Sequence, residues 1–302
     1  MNSKVAAVVV TFNRLELLKE CISSIRKQTY AVNEIIIVNN SSTDGTKEWL
    51  TAQNDLTVIT QENSGSAGGQ FAGIKAAYEN GNEFVWCIDT DIVFESDALE
   101  KMFGYNLTKE ASTGFISSTI YFTDGNLAYP NIPELVEPYS LLNSISSEKP
   151  VPILSASFGS LLIRRDVIKK AGYPCREFFI WGDDAEFTLR IIKQGYKGFM
   201  IVNSKATHYC GSNNPKPYLN LKTSDIKFLF GVRNMVYVAI LRNTITHRSR
   251  LRGYLSGLLF VIRLYKDQLF HSGKPSLNYL YNFFILYFKG IFFNPKIEFP
   301  EK

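Results

Sequence analysis

The 302-residue chain has few cysteines, and they are scattered at 21, 87, 175 and 210, with no C-x-x-C pair. A small disulfide-stapled scaffold is therefore excluded. With Met1–Lys4 running straight into a strand-like segment, the expectation is a reducing, cytosolic compartment. Long apolar runs are missing too. The longest, Tyr254–Ile262 and Phe283–Phe288, stop at Arg263 and Lys289, short of the roughly 20 residues of a membrane-spanning helix. Histidine occurs only at 208, 247 and 271. Glycine (20) and proline (11) are too few for a collagen-like or low-complexity chain. Neither G-x-G-x-x-G nor a P-loop with its lysine is present, which removes the usual dinucleotide and nucleoside-triphosphate fingerprints.

What is there is an ordinary globular mixture, 45% hydrophobic and 20% charged, which supports a sizeable core and excludes global disorder. The net charge of +5 is unevenly spread. Residues 1–221 carry 20 Lys+Arg against 24 Asp+Glu, and residues 222–302 carry 13 against 4. A mildly acidic body with a basic tail suits a tail that meets an anionic partner, either nucleic acid or a membrane surface. A solvated basic face is the plainer alternative.

Strand and helix signals alternate through the first half. Val5–Val10 is a continuous β-branched and apolar run, the mark of a strand buried on both faces. Leu15–Gln28 has helical spacing, Glu34–Val38 reads as a strand, and Thr43–Thr46 turns into a helix over Lys47–Gln53. Leu56–Thr60, Phe71–Glu79 and Phe84–Ile88 continue as strand, helix and strand. The pattern predicts a parallel sheet with helices on both faces, whose ligands gather at the carboxyl ends of the strands. Further on, Ser112–Phe122 and Ile153–Ile163 read as strands around a proline-rich loop, Gly125–Pro152. Helices are expected over Val167–Ala171 and Asp184–Gln194, with Gly198–Val202 as a strand between them and a helical, aromatic tail from about Ser224.

Four segments carry chemistry. In Trp86-Cys87-Ile88-Asp89-Thr90-Asp91, two acids follow a buried strand where a parallel sheet presents its ligands. Such a pair can hold a hard divalent ion that also takes phosphate oxygens. The alternative is Asp91 as the N-cap of a helix over Val93–Met102. In Glu62–Gln70, small residues between a strand and a helix let backbone approach a phosphate or sugar. In Phe178–Phe187, the acids Asp183, Asp184 and Glu186 sit among aromatics at a helix start. Apolar neighbours raise a carboxylate pKa and suit it to general-base work, while helix capping is the alternative for Asp183 and Asp184. His208 follows a strand and becomes a metal ligand only where the fold brings it to Asp89 and Asp91.

Taken in order, these segments resemble glycosyltransferase family 2 proteins of the GT-A fold, over roughly residues 5–245. Val8–Arg14 is similar to that family's first strand and turn, and Ile37–Thr46 to its V-D-N-x-S-x-D-G-T segment. Asn63–Gly69 resembles its N-x-G-x-A-G-G loop. Trp181–Glu186 and Arg233-Asn234 resemble its galactofuranosyl- and rhamnosyltransferase-like branch. The resemblance implies an α/β fold with a mostly parallel, Rossmann-like central sheet flanked by helices. The shift in charge divides the chain into a nucleotide-sugar-binding and catalytic domain, 1–221, and a basic, aromatic-rich helical extension, 222–302.

The resemblance also implies roles. Thr11, Asn39 and the Asn63–Gly69 loop, with Gly65, Gly68 and Gly69, line the nucleotide pocket. Asp89 and Asp91 hold Mg²⁺ or Mn²⁺ on the diphosphate, with His208 as a further ligand. Asp184 is the base, Asp183 supports it, and Trp181 stacks on the acceptor sugar. Transfer inverts the anomeric centre in one displacement, from dTDP-rhamnose or UDP-galactofuranose to a glycan or lipid-linked acceptor of a bacterial surface polysaccharide. Asn39 stands where the family usually has Asp, and Thr90 where the branch often has a third Asp.

The tail holds 16 of the 41 aromatics together with the charge excess. Phe283–Lys289 and Phe292–Lys296 mix apolar anchors with cations, which suits an interfacial helix on the inner, anionic face of the cell membrane. A helical cap on the sheet or a homo-oligomer contact is the alternative, and no nucleic-acid-binding motif occurs. Two other classes frame the reading. A sugar nucleotidyltransferase would carry a Gly-rich loop with Arg and Lys after the first strand, where this chain has Thr11–Arg14. A non-catalytic sugar- or membrane-binding module would have lost a carboxylate among Asp89, Asp91 and Asp184, and all are present.

Overall fold

The computed structural model describes residues 3–137, 149–222, 224–246, 249–272 and 277–301. The chain opens with β1 (Val5–Thr11), α1 (Leu15–Arg26), β2 (Glu34–Asn39), α2 (Thr46–Thr51), β3 (Leu56–Thr60), α3 (Gly65–Glu79) and β4 (Phe84–Asp89). It continues with β5 (Ile92–Phe94), α4 (Ala98–Phe103), β6 (Thr113–Phe122), β7 (Glu134–Leu135), β8 (Val151–Ser155) and β9 (Leu161–Arg164). Then come α5 (Arg165–Ala171), α6 (Asp183–Lys193), β10 (Lys197–His208), α7 (Ile226–Ile245), α8 (Arg250–Ser272) and α9 (Leu277–Ile291).

One sheet runs β3-β2-β1-β4-β9-β6-β10-β8-β7, with β5 on β10. Its first half is parallel, β1 lying between β2 and β4. Antiparallel β9 then separates β4 from β6. The central sheet with flanking helices is the expected architecture, and beyond β4 its pairing is mixed rather than mostly parallel. The apolar run of β1 reaches both layers of core: Ala7 and Val9 pack toward α1 and α4, and Ala6 and Val8 toward α3, α5 and α6. Its continuous hydrophobicity follows from burial on both faces. On α1 the expected spacing puts Leu18, Cys21, Ile22 and Ile25 on the buried side.

Three expectations change. The Asn63–Gly69 segment is not an open loop, because α3 begins at Gly65 rather than at Phe71. Its glycines are spaced for packing. A Cβ at Gly69 would lie 2.3 Å from Val10 Cγ1, and one at Gly73 would lie 2.2 Å from Val8 Cγ1. The missing side chains let α3 press onto β1, and that contact outweighs the low helix propensity of glycine. Ile153–Ile163 is two strands, β8 and β9, which pair with different neighbours. Asp91 caps no helix: a short strand follows it and α4 starts at Ala98. Part of the proline-rich loop, 138–148, lies outside the described residues, as does His247.

The last third packs as three helices. Phe228, Val232, Val236 and Ile240 of α7 meet Val261 and Leu264 of α8 and Phe283, Leu286 and Tyr287 of α9. The chain then returns to the sheet. Tyr173 N–H donates to the Glu298 carbonyl (2.8 Å), and Lys75 Nζ pairs with Glu298 (2.6 Å).

Candidate active site at the carboxyl edge of the sheet

β1, β2 and β4 end side by side, with Thr11 opposite Asn39 and Val10 opposite Asp89. Polar side chains are buried here without partners. Among the described residues, nothing hydrogen-bonds Thr11 Oγ1, Asn39 Nδ2, Asp183 Oδ2 or either polar atom of the Gln70 amide. All four side chains are fully or almost fully buried. Such groups are rare in folded proteins and costly unless something outside the chain completes them. Gln70 stood in the glycine-rich segment, but sequence reasoning gave it no role.

The acids at the end of β4 differ from one another. Asp91 accepts from the Arg14 guanidinium, and His208 Nε2 lies 3.2 Å from its Oδ2. Burial opposes ionisation of Asp91, but His208 and Arg14 prevail and hold its pKa at about 2. Among the described residues Asp89 has no such pair. Burial and the nearby Asp91 charge lift it to about 7, against the pull of His208. Thr90 donates to the Val10 carbonyl and so ties this turn to β1. Arg14 belongs to the opening motif, and its partner lies 77 residues away, beyond the reach of any local pattern.

His208 is the last residue of β10, a longer strand than Gly198–Val202. Its Nδ1 lies 2.7 Å from Asn131 Oδ1, and Asn131 Nδ2 donates to Ser157 Oγ (2.8 Å). With its amide so oriented, Asn131 requires Nδ1 to donate. Nε2 then faces the Asp91 carboxylate, and a proton or a cation must sit between them. A carboxylate oxygen is a donor for Mg²⁺ or Mn²⁺, and an imidazole oriented from behind favours the softer Mn²⁺ of the two. Yet among the described residues no three His, Cys, Asp or Glu side chains are gathered closely enough to hold an ion. The fold thus brings His208 to Asp91, while Asp89, Asp91 and His208 do not form a closed three-ligand cage.

The acids of the aromatic segment also part company. Gly182, at φ 83°, is the N-cap of α6, and Asp183 and Asp184 occupy its first turn. Glu186 is taken by Arg190, whose Nε and Nη2 donate to it at 2.7 and 3.0 Å. Arg190 also donates to the Ala171 and Tyr173 carbonyls, so this pair braces the structure. Burial raises Asp184 to about 6, against the Ala185 N–H that favours its charge. Burial and then Asp184 push Asp183 well above the usual carboxylate range. Asp89 also opposes the charge on Asp183, and Asp184 that on Asp89. The fold has therefore brought residues 89, 183 and 184 into one electrostatic neighbourhood.

The turn before α6 is strained and held from outside. Phe179 and Trp181 both have φ 63°, a region that side-chain-bearing residues seldom enter. Wholly buried Asn234 of α7 donates to the Phe178, Ile180 and Trp181 carbonyls at 2.8–2.9 Å. A Cβ at Gly231 would lie 2.4 Å from the half-buried Trp181 ring, so the indole lies against bare helix backbone. The same turn meets α3. Ala67 N–H donates to the Phe179 carbonyl (3.1 Å), and a Cβ at Gly65 (φ 74°) would lie 2.0 Å from that oxygen. Asn63 Oδ1 accepts from Gly65 N–H (3.0 Å), and the Asn40 amide donates to the Gly65 carbonyl (3.0 Å). Gly68 crowds only its own turn, at Ser64. Arg233-Asn234 was visible as a likeness, and its part in shaping the turn emerges only from packing.

Residues 6–172 match the family described as Glycosyl transferase family 2. Galactofuranosyltransferase GlfT1 of Mycolicibacterium smegmatis is 26% identical over 250 residues, 78% of this chain and 82% of that one. Among solved structures, S. aureus TarS 1–349 in complex with UDP-GlcNAc superposes with a TM-score of 0.61 at 17% identity. It covers 94% of this chain and 79% of that one. Mannosyltransferase PcManGT from Pyrobaculum calidifontis, in complex with GDP-Man and Mn²⁺, gives 0.58 at 14%, covering 97% and 88%. These likenesses establish the GT-A fold.

Proposed function

Since the chain belongs to glycosyl transferase family 2, and so is a glycosyltransferase, we propose that it is an inverting enzyme acting at the carboxyl edge of this sheet. The membership sets aside the nucleotidyltransferase and the non-catalytic module. The observation that carries the reading is the shared field of Asp89, Asp183 and Asp184, beside unpartnered Thr11, Asn39 and Gln70. A nucleoside diphosphate sugar supplies the polar groups that these side chains lack.

Asp184 is the general base. A carboxylate held at about 6 is ionised at neutral pH and still basic enough to take a proton as the acceptor hydroxyl attacks. The new C–O bond forms at the anomeric carbon. The bond to the diphosphate breaks, its electron pair leaves with the nucleoside diphosphate, and the hydroxyl proton goes to an Asp184 oxygen. Asp183 keeps a high local proton affinity beside it, and Trp181 offers its ring to the acceptor sugar. Arg14 stands where negative charge collects. Mn²⁺ or Mg²⁺ would be held by Asp91 and His208, with Asp89 nearby, and supplies countercharge to the leaving group when bound.

UDP-galactofuranose is the favoured donor because of the likeness to GlfT1, with dTDP-rhamnose second. The acceptor is a glycan or a lipid-linked sugar. Thermal-shift measurements with UDP, dTDP and GDP, each with and without Mn²⁺, test the reading, because a ligand of the native state raises its melting temperature. A shift with UDP that grows with Mn²⁺ is expected. A shift with dTDP alone replaces the donor, a shift indifferent to Mn²⁺ removes the metal, and no shift with any nucleotide refutes the site.

A further inference from the structure

The outer helices leave one face uncovered. Along α8, Leu251, Leu255, Leu259, Ile262 and Phe270 are exposed, the last at 90%. Tyr281, Phe284 and Phe288 of α9, and Phe292 just past its end, are exposed as well. Steps of three, four and eight residues put each set on one side of its helix. The opposite sides face α7. A Cβ at Gly257 would lie 3.1 Å from Val236 Cγ1, and one at Gly290 would lie 2.6 Å from Val236 Cβ. The two helices also pack on each other. Tyr265 meets Phe283 edge-on, and the Tyr287 hydroxyl donates to the Tyr254 carbonyl (3.1 Å). The stripes therefore join into one surface turned away from α7.

Cations surround that surface. Arg252, Arg263, Lys266 and Lys289 are exposed. The one acid in α8 and α9, Asp267, accepts instead from Lys216 Nζ and the Tyr218 hydroxyl, both at 2.8 Å. We propose that this face docks on an anionic lipid bilayer, with α8 and α9 lying in the interface. Apolar side chains enter the acyl boundary and the cations meet phosphate headgroups. A second copy fits less well, because two-fold pairing would bring like charges together. Among the described residues no helix is long and apolar enough to cross a membrane, so contact is lateral. The docked helices pack on α7, and α7 in turn lies against Trp181 through Gly231, so a lipid-linked acceptor would be held at the end of the molecule that carries the proposed base; that last step alone rests on the glycosyltransferase reading.

The test is flotation of the full chain with vesicles of phosphatidylcholine alone, or mixed with phosphatidylglycerol. Binding to the mixed vesicles should exceed the other by about tenfold or more and weaken with salt. Leu255→Gln with Phe284→Gln should abolish it, and Arg263→Gln or Lys266→Gln should each weaken it about fivefold. Equal binding to both vesicles, no binding, or a dimer in sedimentation that Leu255→Gln dissociates would overturn the proposal. The melting temperature and its UDP shift, measured on every variant, should stay unchanged. Loss of the UDP response in the parent protein would count against the donor site, not the lipid face.

Discussion

Two regions of this molecule break the usual division of polar and apolar surface, in opposite senses. At the ends of β1 and β2, polar atoms are buried unpaired. On the outer faces of α8 and α9, apolar side chains stand in the open. Each arrangement is unfavourable for the chain alone, and each would be relieved by a different proposed partner, a compact polar one inside and an extended apolar one outside. Stability and function should therefore part company in both places, but differently. Inside, removing a group costs activity while it can strengthen the fold. Outside, the fold should hardly notice.

The sharpest break is expected at Asp184. Asp184→Asn should lower turnover by roughly 100- to 10,000-fold while the UDP thermal shift persists. In the parent, the pH profile of turnover should fall on the acid side near 6, as the base is protonated. Unchanged turnover would remove Asp184 as the base. Asn234→Ala should cost about 2–3 kcal/mol in denaturant unfolding, since three carbonyls lose their donor. It should lower kcat more than it raises the donor KM, because the turn bearing Trp181 and the acids loosens while β1 and β2 stay in place.

A smaller effect has the opposite sign. The raised Asp184 pKa means that the fold prefers the protonated form. The stability this group contributes is full below the unfolded value of 3.8 and is lost as pH rises through about 6. Asp184→Asn should therefore be more stable than the parent at neutral pH, by at most about 3 kcal/mol, with the gap closing on acidification. Gly231→Ala should leave stability within about 1 kcal/mol, as better helix propensity offsets the clash, yet raise the acceptor KM through the displaced Trp181 ring. Least of all, Leu259→Gln should change unfolding by less than about 0.5 kcal/mol. A large loss there would mean that the outer face is internal packing after all.

Much of this was legible in the order of residues. The continuous apolar runs and period-3.6 patterns of Val5–Ile88 gave the strands and most helix limits, because β1, β2 and β4 are buried on both faces and leave little ambiguity. The glycine-rich segment misled because glycine is ambiguous locally: the same residue permits an open loop or a close helix–strand contact, and only Val8 and Val10 decide. Asp89 and Asp91 stood out by position, but Asp91 is held ionised by Arg14 and His208, far away in sequence, while burial raises Asp89. Glu186 looked equivalent to its neighbours until Arg190, one turn on, claimed it.

The end of the chain gives the molecule an order of assembly in time. Glu298 reaches Lys75 across 223 residues, and Phe293 lies against Phe178, just ahead of the strained turn. During synthesis from the N-terminus the sheet can form early, but these contacts must wait until residues 293–298 have left the ribosome. The turn that carries Trp181, Asp183 and Asp184 is thus braced last. A chain stopped before Phe293 would keep every catalytic side chain proposed here and still lack the clasp that sets them.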